Sequence, residues 1–143
     1  MSGAVASAED RLDILELLAR ADDAASRRDV TTYVALFSDD ASLEGDKGTH
    51  RGKDALRSIV AEVWESEGTA TRHLTLNSVL QPIAGNPAAV LATSTLLIVA
   101  PGAPGAPGAP GAPPQLQSVS AISQLVVKID GGWRIARRTV HLL

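Results

Sequence analysis

The chain has 143 residues, 45% of them hydrophobic and 20% charged, with a formal net charge of −3 and no cysteine. That length allows one domain with a sizeable core, and without thiols there is no disulfide frame, cysteine nucleophile or thiolate metal site. Acids and bases are interspersed without a Lys/Arg stripe, and the only aromatics are Tyr33, Phe37, Trp64 and Trp133, which argues against a nucleic-acid partner.

The first residues, MSGAVASAEDRLD, lack the basic start and apolar run of a signal peptide. The longest apolar run, Leu96 to Ala100, is too short to span a bilayer. A cytoplasmic protein with no membrane contact is expected. Ser7 is a candidate cap for a helix over about Ala8 to Arg28, in which Ile14, Leu17, Leu18, Ala21 and Ala25 recur at helical spacing. Asp22 and Ser26 sit one turn apart on the flank of that apolar face, and Asp23 nearly opposite it. Asp29 is placed to cap a short second helix, Val30 to Phe37, with Tyr33, Leu36 and Phe37 inward. A short strand, Ala41 to Glu44, follows, with turns at Gly45, Gly48 and Gly52. A third helix runs from Lys53 to Trp64, burying Leu56, Ile59, Val60 and Val63.

After Gly68 the period changes to two. His73, Thr75, Asn77 and Val79 fall on one side of a strand, and Leu74, Leu76 and Leu80 on the other. Asn86-Pro87 reads as a turn, Ala88 to Val99 and Leu116 to Ile129 as long strands, and Asp130-Gly131-Gly132 as a hairpin signal before a last strand, Trp133 to Leu142. Residues 101–114, PGAPGAPGAPGAPP, repeat Gly-Ala-Pro too few times for a triple helix and read as a solvated polyproline-like loop. Apolar residues on both faces of the strands predict that one face packs on the helices and the other on a second subunit, making a homodimer.

The segments AEDRLDILELLARADDA, YVALFSDDASLEG, HRGKDALRSIV, TRHLTLN and KIDGGWRIARRTV occur in this order over about Glu9 to Val140. In order and spacing they resemble the SnoaL-like branch of the nuclear transport factor 2-like superfamily. The resemblance implies an α+β cone, in which N-terminal helices pack on a curved antiparallel β-sheet around a pocket. Relatives include polyketide cyclases, a scytalone-type dehydratase, ketosteroid isomerases, a dehydrochlorinase and small subunits of ring-hydroxylating dioxygenases, so the fold alone names no activity.

In the dehydratase and dehydrochlorinase relatives a histidine in this strand pairs with an aspartate on the first helix. His73 matches the histidine and is the candidate general acid/base, a role that suits imidazole near neutral pH. Ser26 occupies the position of the relatives' aspartate. Its hydroxyl can orient an imidazole but brings no charge, and Asp22, one turn earlier, is the candidate substitute. Ala21 stands where many relatives carry a tyrosine in this helix. Asn77, Tyr33, Trp64 and His141 complete the expected ligand-binding set, with His141 at the cavity mouth on the side of Trp133, Ile135 and Arg137. Arg72 should point to the opposite face from His73, into an ion pair, and His50 should be exposed. No H-x-x-x-H or carboxylate cluster suggests a metal, and no glycine-rich nucleotide loop or G-x-S-x-G elbow is present, so no cofactor is expected.

Two readings stand level. One is a cofactor-independent lyase, isomerase or cyclase acting on a small hydrophobic or polyketide-like ligand. The other is a non-catalytic ligand-binding or dimerisation module. The accessory subunit of a ring-hydroxylating oxygenase is a third.

Overall fold

The computed structural model describes residues 6–68 and 70–143. Helix α1 spans Ala8–Ser26, and the Ser7 hydroxyl accepts the Asp10 N–H at 3.0 Å at its start. Its apolar stripe, Ile14, Leu17, Leu18, Ala21 and Ala25, is buried. The helix stops short of Arg28 because that residue turns left-handed, at φ 59°. Asp29 then accepts the Thr32 N–H at 3.0 Å and opens α2, Val30–Ala35. Phe37 begins β1 (Phe37–Gly45) instead of ending α2, so this strand is twice the expected length. The turn-rich stretch after it contains an additional strand, β2 (Gly48–Arg51), paired antiparallel with β1. Helix α3 (Lys53–Glu67) runs three residues beyond Trp64 and buries Leu56, Ile59, Val60 and Trp64.

Four long strands follow: β3 (Arg72–Ile83), β4 (Asn86–Ala100), β5 (Gln115–Ile129) and β6 (Gly132–Leu142). The sheet order is β2-β1-β6-β5-β4-β3, antiparallel except for the β1–β6 pair. The β3–β4 turn is at Ala84-Gly85, one step before Asn86-Pro87, because Ile83 pairs with Asn86 and Gly85 supplies the positive φ of 76°. Asp130 and Gly131, at φ 51° and 80°, make the β5–β6 turn, the backbone form that matches strand twist. The helices lie on the concave face over a core that includes Ile14, Phe37, Leu56, Val90, Val126 and Ile135. Fully burying one such side chain contributes about 1.5–3 kcal/mol. Trp133 Nε1 donates to the Asp10 carboxylate at 3.1 Å and ties the start of α1 to β6. No helix among the described residues is long and apolar enough to cross a membrane.

Two β-bulges reverse the inward and outward faces along their strands. In β3 the register with β4 shifts between Leu76 and Val79, and Asn77 sits there at φ 57°. His73 is therefore inward before the bulge and Leu80 after it, while Leu74, Leu76 and Val79 are all exposed. In β6 the extra residue is Ala136, since Ile135 pairs with Val126 and Arg137 with Leu125. Trp133 and Ile135 are inward before it and Arg138 after it. The convex face carries exposed Leu74, Leu76 and Val79 beside half-buried Leu91, Leu97 and Leu125.

The Gly-Ala-Pro segment forms an exposed arm beyond β4 and β5 whose two limbs run against each other. Ala112 donates to the Ala103 carbonyl at 3.0 Å. A Cβ added at Gly102 would run into the Ala112 carbonyl oxygen, and one at Gly111 into that of Ala103. Glycine is required at these positions by contact between the limbs rather than by an unusual φ.

Candidate functional site

The second half of α3 and the first half of β3 build the site. Glu67 continues the buried stripe of α3, three residues after Trp64 and eleven after Leu56. Arg28 fastens the segment that follows, donating to the Gly68 carbonyl at 2.6 Å and to the Thr71 hydroxyl. This brings Glu67 Oε2 to 2.9 Å from Nε2 of His73, with the two side chains only 11% and 7% exposed. Glu67 Oε1 is buried and makes no hydrogen bond among the described residues. Trp64 meets the His73 ring edge-on at 6.3 Å, and Tyr33 meets Trp64 edge-on at 5.0 Å.

These side chains face a cavity of about 110 Å³, whose polar lining is Tyr33, Glu67, His73 and Arg138 and whose walls include Leu43 and Leu96. An apolar cavity of roughly 150 Å³ accommodates benzene, so this one, which is open on one side, holds the reacting end of a small ring compound and leaves the rest at its mouth. Leu43, Val63 and Val140 separate it from a second space of about 120 Å³ under the β1–β2 turn. Burial holds the Tyr33 hydroxyl above its ordinary pKa.

Asp22 lies near His73 but does not bond to its ring. Its carboxylate accepts the Thr75 N–H at 2.6 Å and the Thr75 hydroxyl at 2.9 Å. Burial raises its pKa above the usual carboxylate range, against the pull of the Arg138 charge and both Thr75 bonds. Ser26 accepts the backbone N–H of His73 at 3.0 Å and so positions the strand instead of the imidazole. The carboxylate partner of His73 is Glu67, in place of the expected Asp22 or Ser26.

Tyr33 and Trp64 line the cavity. Asn77 does not, because its left-handed backbone places it at the β3 bulge, exposed. His141 pairs with Ala121 and is exposed on the convex face, since the Ala136 bulge turns Arg137, Thr139 and His141 outward. Arg72 is exposed and makes no ion pair among the described residues. His50 is half-buried, its Nε2 3.1 Å from the Lys47 carbonyl oxygen. Among the described residues no group of three His, Asp or Glu side chains is placed to hold a metal ion.

The sequence reading missed Glu67 and Arg138. Glu67 carries a sequence signal, being a carboxylate at the next position of an apolar helical stripe. Arg138 carries none, since simple alternation sends Arg137 inward in its place.

The chain belongs to the SnoaL-like domain family, whose model matches residues 6–139. A solved structure from Nostoc punctiforme, a protein of unknown function with a cystatin-like fold, is 25% identical at a TM-score of 0.79 and covers 98% of this chain and 96% of its own. Aln2 from a Streptomyces species is 16% identical at a TM-score of 0.82, over 97% of this chain and 94% of its own. LinA is 15% identical at a TM-score of 0.75, over 94% and 86%. At these last two identities the likeness is one of fold. No curated protein matches the sequence.

Proposed function

We propose that the protein is a cofactor-independent lyase or isomerase, acting in the cytoplasm on a small hydrophobic ligand, with His73 as general acid/base. The observation that carries this is a buried imidazole that lines a cavity and is held by a carboxylate. With Nε2–H donating to Glu67, Nδ1 is left as the lone pair that takes a proton from the ligand. Nδ1 makes no hydrogen bond among the described residues. The Glu67 carboxylate then stabilises the imidazolium that forms, as the orienting acid of a catalytic triad does. Trp64 and Tyr33 supply flat apolar walls for the ligand body.

The test follows proton transfer and needs no known substrate. A panel of small enolisable ketones is incubated with the protein in D₂O, and loss of α-proton signal is followed by NMR. Exchange above background that disappears in His73→Gln and falls in Glu67→Gln is the expected result. Background exchange throughout, with ligands still binding in the cavity, favours the binding-module reading, in which the His73–Glu67 pair only ties α3 to β3.

The convex sheet face is proposed to bind a second copy, supported by exposed Leu74, Leu76 and Val79. A single ~15 kDa species in sedimentation at micromolar concentration, about the mass of one 14.8 kDa chain, refutes it.

A further inference from the structure

Arg138 plays no part in the proton transfer described above, yet it is only 5% exposed and lines the same cavity as His73. Its one side-chain hydrogen bond among the described residues is from Nη1 to Gln124 Oε1, at 3.1 Å, and Gln124 is itself 1% exposed. Among the described residues no carboxylate lies within ion-pair distance of it. Asp22 feels its charge but directs both oxygens to Thr75. A guanidinium carries five donors and cannot shed its charge, and a buried charge left unpaired is costly. A cavity wall is a place where such a charge can be completed by a ligand.

We propose that Arg138, oriented by Gln124, is an oxyanion subsite, and that the ligand carries there an oxygen that gains negative charge during the reaction. A ligand that carries its negative charge away from Arg138 is disfavoured, because the Glu67 carboxylate faces the same small space and Asp22 lies close behind. A neutral carbonyl compound with an adjacent C–H bond fits: it enters uncharged and develops charge only where the guanidinium waits. The aliphatic walls, Leu43 and Leu96 among them, hold its apolar part.

This deepens the proton-transfer reading and rests on it for the chemistry. Nδ1 of His73 takes the proton α to the carbonyl, and the C–H electron pair becomes the new C=C π bond. The carbonyl π pair moves onto oxygen, where Arg138 stabilises it. Return of the proton from His73 to that carbon, as the pair on oxygen re-forms the C=O bond, regenerates the imidazole. A ligand with a C=C bond next to that carbon takes the proton at the far end of the C=C instead, and leaves as an isomer. Fixed donors at the atom where charge develops act strongly in a site closed to water.

The binding half is testable without turnover, using 4-nitrophenol, whose ionisation is visible in its absorbance. Its phenolate oxygen stands in for the enolate oxygen. Bound to the wild-type protein it should ionise about one pH unit below the free phenol, a roughly tenfold rise in the phenolate-to-phenol ratio at fixed pH. Arg138→Met should abolish that shift. Gln124→Glu, which sets a carboxylate against Nη1, should abolish it too, and serves if Arg138→Met fails to fold as judged by circular dichroism. Absence of 4-nitrophenol binding, an unshifted ionisation, or a shift that persists in the folded variants overturns the proposal. So does a shift lost in His73→Gln but kept in Arg138→Met, which would assign the anion to the imidazolium. Failure of α-proton exchange with the nitrophenol shift intact refutes the proton-transfer reading and leaves the subsite standing.

Discussion

Removing Glu67 perturbs stability through three opposing effects, and their balance can be worked out from the geometry. In Glu67→Ala the His73 Nε2 loses the acceptor at 2.9 Å and is left in a side chain 7% exposed. Stranding a buried polar group costs about 1–3 kcal/mol. Against this, Glu67 is the last residue of α3, where the helix dipole disfavours a carboxylate by about 0.3–1 kcal/mol. Its Oε1 is also buried without a partner among the described residues, a desolvation cost that the substitution relieves. The net expectation is a loss of about 1 kcal/mol, taking the middle of the first range less the dipole contribution and the relief at Oε1. In a chain of 143 residues that is a fall in Tm of about 3–4 °C. Glu67→Gln keeps an acceptor for Nε2 and removes the charge at the helix end, so it should lie within about 0.5 kcal/mol of wild type. Urea unfolding followed by tryptophan fluorescence measures both, with Trp64 packed edge-on to His73 as the reporter. A Glu67→Ala variant as stable as wild type, or a Glu67→Gln variant less stable than Glu67→Ala, refutes the reasoning.

Asp22 has a raised pKa, so the folded state binds its proton more tightly than the unfolded chain, and its contribution is greatest at low pH and lost as pH rises through the folded value. Asp22→Asn should therefore flatten the decline in stability above about pH 4; unfolding curves from acid to neutral pH that run parallel for the two proteins contradict this. At Asn77, φ 57° should make Asn77→Gly nearly neutral and Asn77→Val costly by about 1–2 kcal/mol, since a β-branched residue resists the left-handed region. Equal midpoints in urea would mean that the bulge relaxes. Replacing residues 102–113 by a short turn should leave Tm within about 4 °C, because halving a loop changes closure entropy by only about 0.6 kcal/mol; a larger fall would show that the arm packs on the body.

The order of elements was legible because their signals are local: Ser7 and Asp29 as caps, the stripe from Ile14 to Ala25, and the Asp130-Gly131 turn. His73 was legible as an inward polar residue because it precedes the β3 bulge. Asn77, His141 and Arg138 were not, because each lies at or beyond a bulge, and one extra residue reverses every later side chain. Nothing in a strand of alternating residues announces where that extra residue falls; the partner strand decides it. Glu67 lies within a legible helix, but the apolar spacing that marks the helix stops at Trp64, and the carboxylate falls in the turn beyond it. Asp22 and Ser26 were placed on the correct flank, yet nothing in helical periodicity separates a side chain that reaches an imidazole from one that reaches the neighbouring backbone.

The Gly-Ala-Pro arm has a consequence for how the gene can change. Three residues make one turn of a polyproline helix, so gaining or losing a whole triplet advances a limb by a full turn. Glycine then still faces the opposite limb, and the strands beyond the arm keep their register. Gaining or losing one or two residues instead turns alanine or proline towards a carbonyl that leaves no room for a Cβ. Length variation in this arm should therefore be tolerated in steps of nine nucleotides and resisted in steps of three or six.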